Sequence, residues 1–452
     1  MSGAKGRAVR RGRESGGGPA ILTVVPAHGS AFSRRLAFLE ARGERTSTAV
    51  ERQVRTIVDA VRRRGDSALF AYTRRFDGIA LTARTVEVPR AAMASAERAL
   101  SRQIRRDLRL AARRIAAFHR RQRQASWRYR DATGTILGQE VRPLDRAGVY
   151  IPGGTAVYPS SVLMNVIPAK VAGVGEVIGV TPAGKAGVHP AVLAAAHIAG
   201  VDRLFRVGGA QAVAALAYGT RSVPRVDKIC GPGNIYVATA KRLVFGAVDI
   251  DMVAGPSEVL IIADASARPD LIAADLLSQA EHDPLAAAIL VTPSAPLIAR
   301  VQAALASQLA ELPRREIARR SLARHGTAFV TADLGEAVAI ANRIAPEHLE
   351  LAVRQPERLL GAIRHAGAIF LGEQAPESLG DYLAGPNHVL PTGGSARFAS
   401  PLGVYDFIKR SSVIGASLRA LVKLGPSVMR LAELEGLHAH ARTVERRLAS
   451  LS

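Results

Sequence analysis

The stretch DLLSQAEHDP, residues 275–284, sets Asp275, Gln279 and His282 four and then three residues apart. On a helix such residues share one face. A glutamine oxygen and an imidazole nitrogen one turn apart can both reach one metal ion. Four other stretches carry groups able to do chemistry. APEHLEL (345–351) sets Glu347 beside His348, and AGPSEV (254–259) places Ser257 at the start of an apolar run. PESLGDYLAGPNHVLPT (376–392) holds Asp381 and His388, and AELEGLHAHA (432–441) holds Glu433, Glu435, His438 and His440. Gln279, His282, Asp381 and His440 together form an N/O donor set that suits Zn²⁺, although glutamine is an unusual zinc ligand. The Glu347–His348 pair suits acid–base work: one group takes a proton from an alcohol, the other activates water, provided a dry cleft brings their pKa values near neutrality. Every one of these residues also has a plain structural use. His282 suits the negative end of a helix dipole, Ser257 a local hydrogen bond, Glu347 a first helical turn, Asp381 a turn after Gly380, and the terminal histidines an exposed helix. Spacing alone leaves both uses open.

The elements that must position these residues are legible in the apolar pattern. Pro269 suits a first helical position, Ile272, Leu276, Leu277 and Ala280 recur at helical spacing, and Pro284 stops the pattern. Residues 31–130 read as mainly helical. From about residue 146, short apolar runs alternate with glycine turns and alanine-rich helices: strand EVIGVTPA, helix HPAVLAAAHIAG closed by Gly200, strand RLFRVGG, helix AQAVAALAYG, strand DKICGPGN, helix IYVATAKRLVFG. A second series runs through SEVLIIAD, AAAILVTP, GTAFVTAD, a helix near 334–344, and AGAIFLG, after which 403–452 returns to helix. Strands alternating with helices of this length mean parallel sheets. The expected fold class is therefore α/β, with two Rossmann-like parallel-sheet domains flanked by helical N-terminal and C-terminal segments. The dinucleotide fingerprint is incomplete, because GPGNIY has G-x-G without the third glycine. Ligands of such sheets bind beyond the carboxyl ends of the strands, so Gly231–Asn234 and Gly208–Gln211 are the candidate cofactor turns.

Composition narrows the function classes. With 452 residues the chain calls for two or three domains. Aromatics make up only 4%, so Ala, Val, Leu and Ile must fill the cores. The net charge of +23 invites a nucleic-acid reading, but only seven of the 61 basic residues are lysine, and the arginines spread over the whole chain. The runs at 62–64 and 104–114 read as solvated helix faces without interleaved aromatics, and no nucleic-acid partner is expected. Cys230 is the single cysteine, which excludes an intramolecular disulfide. A thiohemiacetal role for it is less in keeping with its apolar strand-end neighbours than that of a small buried hydrophobe. No apolar run approaches 18 residues, so no membrane span is expected, and a cytoplasmic location is. Residues 1–19 read as a disordered basic arm. The expected organisation places 20–44 as a helical segment packing with the C-terminal part, 45–148 with 257–402 as one discontinuous α/β domain, 149–256 as the dinucleotide-side domain, and 403–452 as a segment reaching a partner subunit.

The segments GVYIPGGTAVYPSSVLMNVIPAKVAGV, VGGAQAVAALAYGT, CGPGNIYVATAKRLVFG, IDMVAGPSEVLIIAD, DLLSQAEHDP, APEHLEL, GDYLAGPNHVLPT, SPLGVYDFIKRSSV and EGLHAH follow one another in an order that resembles the histidinol dehydrogenase family, over about residues 45–445. The resemblance implies two successive oxidations of L-histidinol to L-histidine through a bound aldehyde, with hydride passed to NAD⁺ and one zinc ion per subunit. It implies that Gln279, His282, Asp381 and His440 hold the zinc. His348 would take the alcohol proton and Glu347 would activate water. Ser257, His388 and Glu435 would orient the substrate, alongside the zinc ligands and His348. Tyr150, Gln211 and Asn234 would contact NAD. It further implies a homodimer whose C-terminal segments are exchanged, so that Glu435 and His440 serve the partner's site. The alternative is a related zinc- and NAD-dependent dehydrogenase that converts another small polar alcohol to an acid.

Overall fold

Every residue of the strand Glu258–Ala263 is buried, and its run EVLIIA is almost continuously apolar. Such a strand belongs in the middle of a parallel sheet covered on both faces. In the computed structural model, which describes residues 21–44, 48–153, 157–253 and 255–450, it does lie there. The basic arm at 1–19 falls outside the described residues.

The chain divides into two units. The first comprises the described residues up to 44 together with 255–377 and 391–399. It holds a wholly parallel six-stranded sheet in the order Thr23–Pro26, Thr327–Val330, Ala287–Thr292, Glu258–Ala263, His348–Ala352, Ala368–Leu371. Helix Pro269–Ala280 buries Ile272, Leu276, Leu277 and Ala280 with Val259, Ile261 and Leu290 on one face. Helix Leu334–Ile344 buries Val338, Ile340 and Ala341 with Leu260, Phe329 and Leu349 on the other. The segment before residue 45 is not wholly helical. TVVP, rich in β-branched residues, adds an edge strand beside Thr327–Val330 before helix Gly29–Glu40 begins.

The second unit comprises the described residues of 48–253 with 378–390 and 400–450. Its main sheet runs Glu87–Val88, Arg203–Phe205, Glu176–Val180, Arg146–Tyr150, Lys228–Cys230, Asp249–Ile250, parallel except for the antiparallel edge Glu87–Val88. Cys230 is fully buried in this sheet, and burial pushes its thiol well above the ordinary range, which leaves it a packing group.

Two expectations are corrected here. Residues 48–148 do not join 257–402 but cluster with the second unit. The physical reason is the stripe Val54, Ile57, Val58 and Val61 on helix Thr48–Arg64, which packs with Val213, Leu216 and Val237. Met93 and Ile115 likewise join the core of Val149, Leu163 and Val177. The second correction concerns 403–452, which is not helical throughout. Ile408–Gly415 pairs antiparallel with Ile136–Pro143 over eight residues, and Trp127–Arg130 completes a three-stranded sheet. The helices Leu418–Leu434 and His438–Ala449 follow. Among the described residues no helix is long and apolar enough to cross a membrane.

Candidate active site

Helix Leu334–Ile344 ends on Ala345, which has φ of 50° and donates its N–H to the Ala341 carbonyl at 2.8 Å. A left-handed conformation costs a residue with a Cβ about 1–2 kcal/mol, and Pro346 then forbids any further helix. The chain turns sharply, and Glu347 and His348 enter the next strand at its amino end. Gly367 keeps this corner open, because a Cβ there would lie 2.6 Å from the Glu347 carbonyl oxygen.

Glu347 and Glu258 clamp one another across the sheet. The Glu258 N–H donates to Glu347 Oε2 at 3.0 Å, and the Glu347 N–H donates to Glu258 Oε1 at 3.3 Å. Burial raises the Glu258 pKa, opposed by the Arg42 guanidinium 2.8 Å away. Nδ1 of His348 lies 3.2 Å from the Glu258 carbonyl oxygen. A carbonyl only accepts, so the neutral ring carries its hydrogen on Nδ1, and Nε2 is the basic nitrogen. Glu377 Oε1 at 3.6 Å and Glu347 Oε2 at 3.8 Å face Nδ1 and favour the imidazolium once Nε2 takes a proton.

The helix Pro269–Ala280 delivers Gln279 into the same unit fully buried. Its amide finds partners only with the nitrogen facing Glu377, donating to the two carboxylate oxygens at 2.9 and 3.0 Å. His282 does not sit on the helix, as its spacing with Asp275 and Gln279 suggested. The helix stops at Ala280, and His282 lies exposed in the following turn, its N–H bonded to the Gln279 carbonyl at 3.3 Å. His282 and Glu377 nevertheless bring ligand atoms within 4.8 Å of each other. Ser257 immediately precedes the Glu258 strand, and its carbonyl accepts from Ala287 N–H at 3.0 Å. Asp381 is not in a loop; it lies one turn after Glu377 on the short helix Glu377–Tyr382.

Glu377, Glu258 and Arg42 carry no local sequence signal. Neither does Glu350, which shares a proton with Asp275. Burial pushes the two carboxyls up, to about 8 for Glu350 and about 6 for Asp275. Free carboxyls in an unfolded chain titrate near about 4. The stabilisation is therefore complete below about pH 4, where both carboxyls are protonated, and is lost as pH rises through about 6 and about 8. We expect wild-type melting temperature to fall from pH 6 to pH 9, and Glu350→Gln, which keeps the hydrogen bond without the second charge, to fall distinctly less. Parallel curves for the two proteins would refute the shared proton.

In the second unit, the strand order reverses between Arg146–Tyr150 and Lys228–Cys230. The carboxyl ends of these strands define the crevice where such sheets bind ligands. Tyr150 ends one of them; its hydroxyl accepts from Gly209 N–H at 3.0 Å, and burial raises its pKa to about 12. Gln211 opens helix Gly209–Tyr218 only 1% exposed, with neither amide atom hydrogen-bonded among the described residues. Asn234 caps helix Ile235–Val244, its side-chain oxygen accepting from Tyr236 and Val237 N–H at 3.0 and 3.2 Å. Gly231 between them has φ of 108°, and a Cβ there would sit 2.2 Å from the Tyr150 carbonyl oxygen. A buried, unsatisfied amide beside a glycine turn at two helix N-termini is the chemistry a dinucleotide needs.

His388 places Nδ1 3.0 Å from the Asp381 carbonyl and Nε2 3.4 Å from the Ser161 hydroxyl. Burial lowers its pKa to about 4, so at neutral pH it is an uncharged hydrogen-bonding group. Glu435 lies exposed in the turn after helix Leu418–Leu434, and His440 lies exposed in the first turn of helix His438–Ala449.

The comparisons with known proteins agree with one another. The family model described as Histidinol dehydrogenase matches residues 40–448. A histidinol dehydrogenase of Syntrophotalea carbinolica is 60% identical over 95% of this chain and 99% of its own length. One of Pseudomonas aeruginosa is 56% identical over 92% and 95%. Among solved structures, the crystal structure of histidinol dehydrogenase from Elizabethkingia anophelis superimposes with a TM-score of 0.90 at 35% identity, covering 96% of this chain and all of that one.

Proposed function

The chain belongs to the histidinol dehydrogenase family and is an oxidoreductase of histidine biosynthesis acting on histidinol; we propose that it carries L-histidinol to L-histidine in two successive hydride transfers through a bound aldehyde. The observation that supports this most directly is the Glu347–His348 pair, a buried carboxylate and an imidazole whose tautomer leaves Nε2 as the base.

The reading assigns the steps to groups of this chain. His348 Nε2 accepts the hydroxyl proton while the carbinol carbon loses a hydride, giving the aldehyde. Glu347, held by the Glu258 N–H, takes a proton from water as that water's oxygen bonds to the aldehyde carbon. The hydrate then loses a second hydride and a proton and becomes the carboxylate. Two hydrides leave and one water enters, so the four-electron balance closes. Ser257, His388 and Glu435 orient the substrate in this reading. Tyr150, Gln211 and Asn234 contact NAD⁺, which when bound supplies the hydride acceptor. The unsatisfied Gln211 amide and the glycine turn at 231 support that placement.

We assign the metal to Gln279, His282, Asp381 and His440. The donor chemistry fits: the Gln279 nitrogen is committed to Glu377, which leaves its oxygen as a donor, and His282 adds an imidazole near an acidic group. A nitrogen and oxygen set suits zinc. When bound, zinc supplies a template for the substrate's imidazole and amino nitrogens. We also infer a homodimer with exchanged C-terminal segments. Leu418, Val422, Val428, Leu431 and Leu434 of one helix are exposed apolar side chains that a second copy would cover. Within that dimer Glu435 and His440 would act in the partner's site. A cytoplasmic location accords with a biosynthetic role and a lone, buried thiol.

Stoichiometry tests the reading. With limiting L-histidinol and excess NAD⁺, two NADH are expected per histidinol, abolished by chelation and restored by zinc. One NADH would sink the water-activation step. No turnover by the folded, zinc-loaded protein would point to another small alcohol as substrate.

A further inference from the structure

The Gln279 amide has two ends that differ in everything but shape. Its oxygen can donate electrons to a cation; its NH₂ cannot. Nothing in a glutamine side chain itself decides which end points where, and the torsion that exchanges them is soft. A buried neighbour has to decide. In this unit that neighbour is Glu377, 2% exposed, with both carboxylate oxygens within 3.0 Å of the Gln279 nitrogen. An amide oxygen turned toward a carboxylate would meet only lone pairs.

Glu377 is itself held in place. Its backbone N–H donates to Glu350 Oε1 at 3.0 Å, and Oε1 lies 3.6 Å from His348 Nδ1. The carboxylate thus stands on a fixed backbone and touches both the glutamine and the candidate base. Groups that orient a metal ligand from behind commonly carry a tenfold to hundredfold share of metal affinity.

We propose that Glu377 is the positioning residue of the metal site: it captures the Gln279 NH₂ and so commits the amide oxygen to the metal. The proposal rests on the reading of Gln279 as a metal ligand. It differs from the simpler idea that Glu377, which lies near His282, binds the metal directly. The two ideas separate in a double-mutant cycle. A residue acting through Gln279 has no work to do once Gln279 is gone, whereas a direct ligand still does.

The experiment uses full-length protein stripped of metal and titrated with Zn²⁺ against a chromophoric chelator. The variants are Glu377→Gln, Glu377→Asp, Gln279→Ala and the double variant Gln279→Ala/Glu377→Gln. Thermal melting of each metal-free protein verifies folding. Glu377→Gln should weaken zinc binding by about 10–100-fold, because a second amide can present its own NH₂ and let Gln279 flip. Glu377→Asp, which keeps the carboxylate, should lie closer to wild type. In the Gln279→Ala background the Glu377→Gln change should be under about threefold. Unchanged affinity in Glu377→Gln would overturn the proposal, and so would an equal loss in both backgrounds, which would make Glu377 a ligand. Wild-type affinity in Gln279→Ala would overturn the metal reading of Gln279 itself, and this proposal with it. Should Glu377→Gln not fold, Glu377→Ala, which removes the acceptor of the Gln279 NH₂, carries the same cycle.

Discussion

Replacing His348 by Asn lowers kcat by roughly 10²–10⁴-fold, the usual share of a positioned general base, and leaves the fold intact. The expectation follows from geometry. Nδ1 is bound to the Glu258 carbonyl, so the ring has one basic nitrogen to offer, and two carboxylates face the side that becomes positive. Asparagine can retain the hydrogen bond to the carbonyl but has no base to put in place of Nε2. The variant's rate should rise with hydroxide concentration across the range where the wild type is level. A loss of less than tenfold would remove His348 from the proton transfer. Glu347→Gln separates the two oxidations. The glutamine oxygen still accepts the Glu258 N–H, so the clamp survives, but the group no longer takes a proton from water. NADH formed per histidinol should drop from two toward one, with aldehyde accumulating. Oxidation of added aldehyde at the wild-type rate would refute the assignment.

Removal of Arg42 acts on stability more than on chemistry. Its guanidinium lies 2.8 Å from Glu258 Oε2, with side chains only 6% and 2% exposed, and also donates to the Leu285 carbonyl at 2.8 Å. Arg42→Ala leaves the buried Glu258 carboxyl without its counter-charge and close to Glu347. Breaking a buried pair in this way costs about 3–5 kcal/mol, read as a lower denaturation midpoint. Arg42→Met combined with Glu258→Gln should recover most of the loss, because no uncompensated charge then remains. A cost below about 1 kcal/mol for Arg42→Ala would mean that water reaches Glu258.

Much of the fold was readable because it depends on local pattern. The runs EVLIIA, AAILVT and TAFV are strands in the structure, and the alanine-rich stretches between glycines are helices. IKRSSVIG was not readable as a strand: it is half-exposed and charged, and pairing with Ile136–Pro143, some 270 residues away in the chain, is what makes it one. The same holds for helix Thr48–Arg64. Its amphipathic pattern promised a helix but not which core it would join, since any apolar face of suitable size accepts a stripe of Val and Ile.

By itself the sequence determined the candidate residue types, the α/β alternation, and the family to which the chain belongs, because each of these is written in contiguous motifs. Only the tertiary structure decided how those residues are held. Glu258 reaches Arg42 across 216 positions and Glu347 across 89, Glu350 finds Asp275, and Glu377 finds Gln279. A carboxylate alone in a sequence looks like any other. What sets its charge, its partner and its use is how much water it keeps and which groups the fold presses against it.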